Sequence, residues 1–366
     1  SGVSLVDTVM VLLINVFSAL ATGGAVVSGQ YLGQKHSADA SKAADQLVLF
    51  TGALYLVMTV LVYGGPHLIM DGVFGKIEAD VMKNARIYLV IVTASIPFLA
   101  LYNAGAALFR AMGNSQISMK TSLLMNAINI CGNGILIFGL KWGVAGAAIA
   151  TVFSQGVSAI LCYIYMMRRF DILKTTPAER KFDGALARIQ MYIGVPMGLQ
   201  FSITAIGSIM LQSANNALGT ACVAAFTAAM RIKMFFMCPF ESLGMAMATY
   251  SGHNYGAGTP ERIWMGCQAS TLVMIVYWAF TFCVLRFGAR TSALLSVDAS
   301  ELEILKNTGL FLHISVSFFP VLGLLCILRY TIQGVGCTNL AMLSGVSEMI
   351  ARILVSLLAV PAFGYL

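Results

Sequence analysis

Four ionisable residues sit in stretches otherwise made of Leu, Ala, Met, Val and Phe: Glu241, Arg329, Glu348 and Arg352. A charge at the centre of a lipid-crossing helix costs about 2.5–3.5 kcal/mol, so such residues point to an ion or solute that is bound or moved. Glu348 and Arg352 are four apart, the spacing at which two side chains meet on one helical face and lower each other's burial cost. That pair reads equally as a structural ion pair. Glu241 follows Pro239 and has no basic residue three or four positions to either side. A carboxylate so placed can take up and release a proton, which makes Glu241 the leading coupling candidate and Asp7, near the start, a weaker one.

A second set of residues could recognise a solute. Met230, Met234, Phe235, Phe236 and Met237 cluster near Arg231 and Lys233, and thioethers and ring faces are polarizable surfaces that suit flat cations. The same residues serve as ordinary packing where no ligand is bound. Gln200, Ser202, Thr204 and Ser208 share one apolar run and could offer neutral oxygens to a cation, or bond to a neighbouring helix. His36, His67, His253 and His313 show no metal spacing, and the eight cysteines contain no Cys-x-x-Cys, so neither a metal site nor a disulfide framework is expected. Gly72-Val-Phe-Gly-Lys76 lacks the spacing and hydroxyl of a phosphate loop. No cluster of nucleophiles and bases marks an enzyme, and no cofactor is implied.

The elements that must position these residues follow from composition. Of 366 residues 58% are hydrophobic and only 10% charged, with mean hydropathy +0.84. That excludes an ordinary soluble enzyme, and the formal charge of +7 reads as loop-borne Lys and Arg at a bilayer rather than as a nucleic-acid surface. At about 20 apolar residues per crossing, the length holds roughly ten helices. Apolar runs bounded by charge, Gly or Pro predict them near 4–31, 46–65, 87–109, 118–140, 144–167, 189–217, 222–254, 263–287, 308–332 and 341–365. The unalternating runs exclude a barrel. The longest polar connection, 168–188, carries Arg168, Arg169, Lys174, Arg180, Lys181 and Arg188 and reads as a cytoplasmic linker between bundles at 1–167 and 189–366.

The sequence also matches itself at a constant offset of 223 residues, which pairs Phe17 with Phe240, Ser28 with Ser251, Gly33 with Gly256, Pro97 with Pro320 and Gly113 with Gly336. A rare Pro and several Gly held in one register indicate an internal duplication. Six spans separate the copies, so both enter the membrane in the same direction, as parallel repeats related by an axis along its normal. The register leaves the spans at 189–217 and 144–167 without partners, which predicts two six-helix bundles lacking the first and last helices. Gly33 and Gly256 are expected to be left-handed helix caps, and Pro97 and Pro320 to bend their helices in both copies.

Several motifs resemble the MATE multidrug efflux family. They are Gly24-Ala-Val-Val-Ser-Gly-Gln-Tyr-Leu-Gly33 and its echo Ala248-Thr-Tyr-Ser-Gly-His-Asn-Tyr-Gly256, then Ala107-Leu-Phe-Arg-Ala-Met-Gly-Asn-Ser115, Asn126-Ala-Ile-Asn-Ile and Gly143-Val-Ala-Gly-Ala-Ala-Ile-Ala150. Gly194-Val-Pro196, Leu218-Gly219 and Gln333-Gly-Val-Gly336 look like the matching signatures of the second half. The resemblance implies a monomeric plasma-membrane antiporter that exports amphipathic, often cationic, drugs in exchange for H+ or Na+ by alternating access through a cleft between the halves. One branch of that family carries Glu eight residues after the Pro of its seventh helix and an Asp in its tenth. Here the first position is Thr204, and the span at 308–332 has no acidic residue. The alternative is a flippase for lipid-linked precursors from a related superfamily, which would line its cavity with basic residues such as Arg231, Lys233 and Arg329.

Overall fold

The structure, a computed structural model, describes residues 2–65, 79–169, 182–216, 218–293 and 301–360. Its described elements are helices in the order α1 (Gly2–Gly33), α2 (Ser37–Gly64), α3 (Ala79–Thr93), α4 (Ile96–Ala111), α5 (Ser115–Asn133) and α6 (Gly143–Arg169). Then come α7 (Gly184–Asn216), α8 (Thr220–Gly256), α9 (Pro260–Ala293), α10 (Leu302–Val335) and α11 (Thr338–Leu354). Nine described helices are long and apolar enough to cross a membrane, and the bent pair α3–α4 makes a tenth span. Leu56, Val60 and Leu61 on α2, and Leu272, Val276 and Phe280 on α9, turn outward, as lipid-facing positions must. The end of the last expected span, 361–365, lies outside the described residues, as does Gly72–Lys76.

Two compact units form, Ser1–Gly198 and Leu199–Leu366. The division falls inside α7. Of the expected linker, 170–181 lie outside the described residues, and its last part is helical: Asp183 caps α7, its Oδ1 accepting from Ala185 N at 2.9 Å and Leu186 N at 3.2 Å. In the first unit, Val6, Tyr55, Leu89, Leu99 and Ala148 form one core, and Ala25, Leu47, Leu108, Phe109 and Cys162 another. The first half of α7 packs there too: Gln190 Nε2 donates to Ala43 O at 2.6 Å, and a Cβ on Gly23 would lie 2.6 Å from Gly194 Cα. In the second unit α8, α9 and α10 pack around Phe240, Leu285, Leu312, Phe319 and Ile327, with Phe240 edge-on to Tyr277 at 5.1 Å and to Phe319 at 5.8 Å. A Cβ on Gly334 would meet Ala248 O at 2.2 Å, so α10 and α8 touch backbone to backbone there.

The helix string repeats at the offset read from the sequence. Gly33 and Gly256 end α1 and α8, while Ser115 and Thr338 open α5 and α11. Helix α5 widens into a π turn at Gly134–Gly139 and α11 into one at Val355–Ala359.

Two expectations are corrected. Gly33 and Gly256 are the last helical residues, and the left-handed turn falls two positions later, on Lys35 (φ 62°) and Gly258 (φ 70°). The reason is the closing pair of bonds: His36 N reaches back to Tyr31 O and Thr259 N to Asn254 O, which fixes the reversal just before those amides. The prolines are also unlike each other. Pro97 lies in the first turn of α4, just after a break that bends α3 and α4 by 51°, whereas α10 runs unbroken through Pro320.

Candidate functional site

The second unit gathers most of the ionisable residues singled out above. A proline removes the N–H that would bond the carbonyl four residues earlier, and long membrane helices keep such carbonyls satisfied from neighbouring helices. The packing of α7, α8, α10 and α11 therefore decides which polar groups meet.

Glu348 and Arg352 pair on α11 through Oε1 and Nη2. Arg329 on α10 takes the other carboxylate oxygen, Nη2 to Oε2 at 3.1 Å, so one carboxylate is shared by two guanidiniums. Arg329 also donates from Nε to Ser344 Oγ at 2.9 Å. Arg352 Nη1 donates to Ser208 Oγ and, at 3.3 Å, to the backbone carbonyl of Thr204 on α7. Thr204 thus enters the cluster by its backbone. Only 12% of the Arg329 side chain is exposed and 22% of Glu348.

Gln200 is buried beside Gln333, whose Nε2 donates to its Oε1 at 2.7 Å. With the Gln200 amide turned over, its oxygen accepts from Arg329 Nη1 at 3.1 Å and Nε at 3.2 Å. Turning Gln333 with it gives the otherwise orphaned Gln333 Oε1 a donor. Gln200 therefore joins α7 and α10 as a polar brace.

Lys233 on α8 is half-buried. Its Nζ stands 6.0 Å from the Phe311 ring centroid. Glu241, two turns further along α8, is exposed and makes no hydrogen bond or ion pair among the described residues. Met234 and Phe235 are exposed and Met230 is half-buried; Phe235 meets Phe236 edge-on at 5.4 Å. An apolar groove of about 530 Å³ opens between α8 and α9 beside Pro239, lined by Cys238, Ser242, Ala246, Val273 and Tyr277. The side chain of Asp7 lies outside the described residues.

Comparison with known proteins decides the family. The MatE family model matches residues 1–135 and again 196–358, one segment in each half. The chain belongs to the MatE family. Among relatives, the MatE chain is 25% identical over 293 residues to the probable multidrug resistance protein YoeA of Bacillus subtilis (strain 168), covering 75% of this chain and 62% of YoeA. It therefore spans about three fifths of that relative's length. It is 24% identical over 353 residues to the multidrug export protein MepA of Staphylococcus aureus (strain MRSA252), covering 94% and 76%. Its fold superposes with TM-score 0.89, at 18% identity, on an outward-facing multidrug resistance MATE transporter of the MOP superfamily, covering 100% of this chain and 86% of that one. This MatE chain is an all-α membrane protein.

Neither Ser344 nor Gln333 stood out in the sequence as part of a site, since Ser and Gln in a membrane helix more often bond their own backbone. Arg329 was visible as a costly charge, yet its partner lies 19 residues away on another helix.

Proposed function

We propose that the protein is a secondary-active exporter that carries amphipathic, cationic organic compounds out of the cell in exchange for H+ or Na+ by alternating access. It acts as a monomer in the plasma membrane, with 168–188 in the cytoplasm. The observation that carries this reading is Glu241, an exposed carboxylate with no partner among the described residues on a membrane-crossing helix, in a chain whose relatives bear multidrug-resistance and multidrug-export names. An unpaired carboxylate there can hold either a proton or the positive end of a solute, and exchange follows when the two compete for it.

The test is efflux of a fluorescent organic cation from proteoliposomes under an imposed proton or sodium gradient, for wild type and Glu241→Gln. Gradient-driven export that is lost in the variant supports the reading. Export indifferent to Glu241 moves coupling to Glu348, and no export under either gradient overturns it. The three basic residues Lys233, Arg329 and Arg352 favour, as second reading, a flippase for lipid-linked precursors, whose phosphates they would meet.

A further inference from the structure

One seam between helices occurs in both units and is covered in only one of them. In the first unit α1 and α2 receive the first half of α7. A Cβ on Gly194 would meet Leu20 O at 3.0 Å and Leu20 Cδ1 at 3.1 Å, and one on Gly23 would lie 2.6 Å from Gly194 Cα. Met197, on the next turn, is 1% exposed, and Ala19, Leu20 and Gly23 are buried. In the second unit the residues 223 positions later, Ser242, Leu243 and Ala246, line the groove of about 530 Å³ between α8 and α9. There Ser242 and Ala246 are exposed and Leu243 is half-buried.

The lining restricts the occupant. Each hydroxyl or thiol in it is already bonded to a carbonyl of α8: Tyr277 Oη donates to Phe236 O at 3.3 Å, Ser242 Oγ to Cys238 O at 2.9 Å and Cys238 Sγ to Met234 O at 3.2 Å. A polar solute would find no free donor there, whereas a membrane helix needs none, because its own ladder satisfies its backbone. Leu243 and Val273 offer apolar walls, and Ala246 is a small residue of the kind that lets two helices approach closely. Towards the end of α8 the Tyr250 ring lies against Gly266 and closes the seam. Gly266 matches Ala43, which Gln190 meets in the first unit, so the open stretch corresponds to the seat of Gly194 and not to that of Gln190.

The repeat indicates where such a helix comes from. Helix α7 directly precedes α8 and seats its first half on the α1–α2 seam. Its counterpart in the other copy directly precedes α1, ahead of Ser1, and the transporter on which this fold superposes is longer than this chain. We propose that the α8–α9 groove is the seat of a membrane helix of the same polypeptide that precedes α1 and turns a Gly or Ala towards Ala246. The groove is then a packing surface and not a pocket for the exported compound. The inference stands apart from the exporter reading, since it concerns only what covers the seam.

Photo-crosslinking of the complete protein in phosphatidylcholine nanodiscs tests it, with a diazirine analogue of leucine in place of Val273, an exposed wall of the groove. Adducts located by mass spectrometry should fall in a segment of the same polypeptide ahead of Ser1. Adducts confined to phosphatidylcholine, to a second copy or to residues 1–366 overturn the proposal. Packing gives a second readout. Ala246→Trp overfills an occupied seat and should lower the unfolding midpoint by several degrees, while Leu272→Trp, on the outward face of α9, should not. A midpoint that is unchanged or raised in Ala246→Trp overturns the proposal, because an open groove would accommodate the indole.

Discussion

Pro97 and Pro320 occupy the same place in the two units, and only one of them interrupts its helix. In the second unit the carbonyl orphaned by Pro320 is that of Val316, and Trp278 Nε1 of α9 donates to it at 2.8 Å. In the first unit the residue at the Trp278 position is Tyr55, whose hydroxyl instead accepts from Asn103 Nδ2 at 3.2 Å. There the chain breaks between α3 and α4, with Thr93 Oγ1 bonding Leu89 O at 2.6 Å and Ser95 Oγ bonding Val92 O at 2.7 Å. A proline therefore does not determine a kink by itself. What decides is whether a neighbouring helix supplies the missing donor.

The units differ in buried charge as well as at the proline, and removing the charge should have the larger effect. Arg329→Met leaves Glu348 with Arg352 alone and should cost about 3 kcal/mol, read as a lower unfolding midpoint of the purified protein. An unchanged midpoint would mean that the shared carboxylate contributes nothing to the second unit's stability.

Trp278→Phe should make the second unit resemble the first. It strands the Val316 carbonyl at a cost of about 1–3 kcal/mol, and hydrogen exchange of the backbone around 316–324 should speed up while that of α8 does not. Exchange that stays slow would show that Pro320 is tolerated without the indole.

The smallest effect concerns the two left-handed turns. Lys35 sits where the second copy has Gly258, and a non-glycine residue there is strained by about 1 kcal/mol. Lys35→Gly should raise thermal stability by that amount, and Gly258→Ala should lower it similarly. Equal stability in both variants would mean that the turns carry no strain.

Much of this fold was legible because its cause is local. Twenty-residue apolar runs announce membrane helices wherever they occur, and the register of Phe17 with Phe240 and Pro97 with Pro320 announced the repeat. The break before Pro97 was not legible, because the group that prevents its counterpart lies on another helix, at Trp278. The Glu348–Arg352 pair could be read from spacing, since four residues make one turn. Arg329 as its second partner could not, because helix packing alone brings positions 329 and 348 together. The left-handed turn lies two residues beyond the glycine that ends each helix, and glycine does not mark it in the first copy, where it falls on Lys35.

The π turns that follow α5 and α11 bear on which way the ends of those helices face. Such a turn fits one more residue than an ordinary helix, and an extra residue rotates everything after it by about 100°. Both halves carry it at nearly the same place, Gly134–Gly139 and Val355–Ala359. Both halves therefore turn the face that follows by the same amount, and a change that removes one π turn would rotate the end of that helix alone.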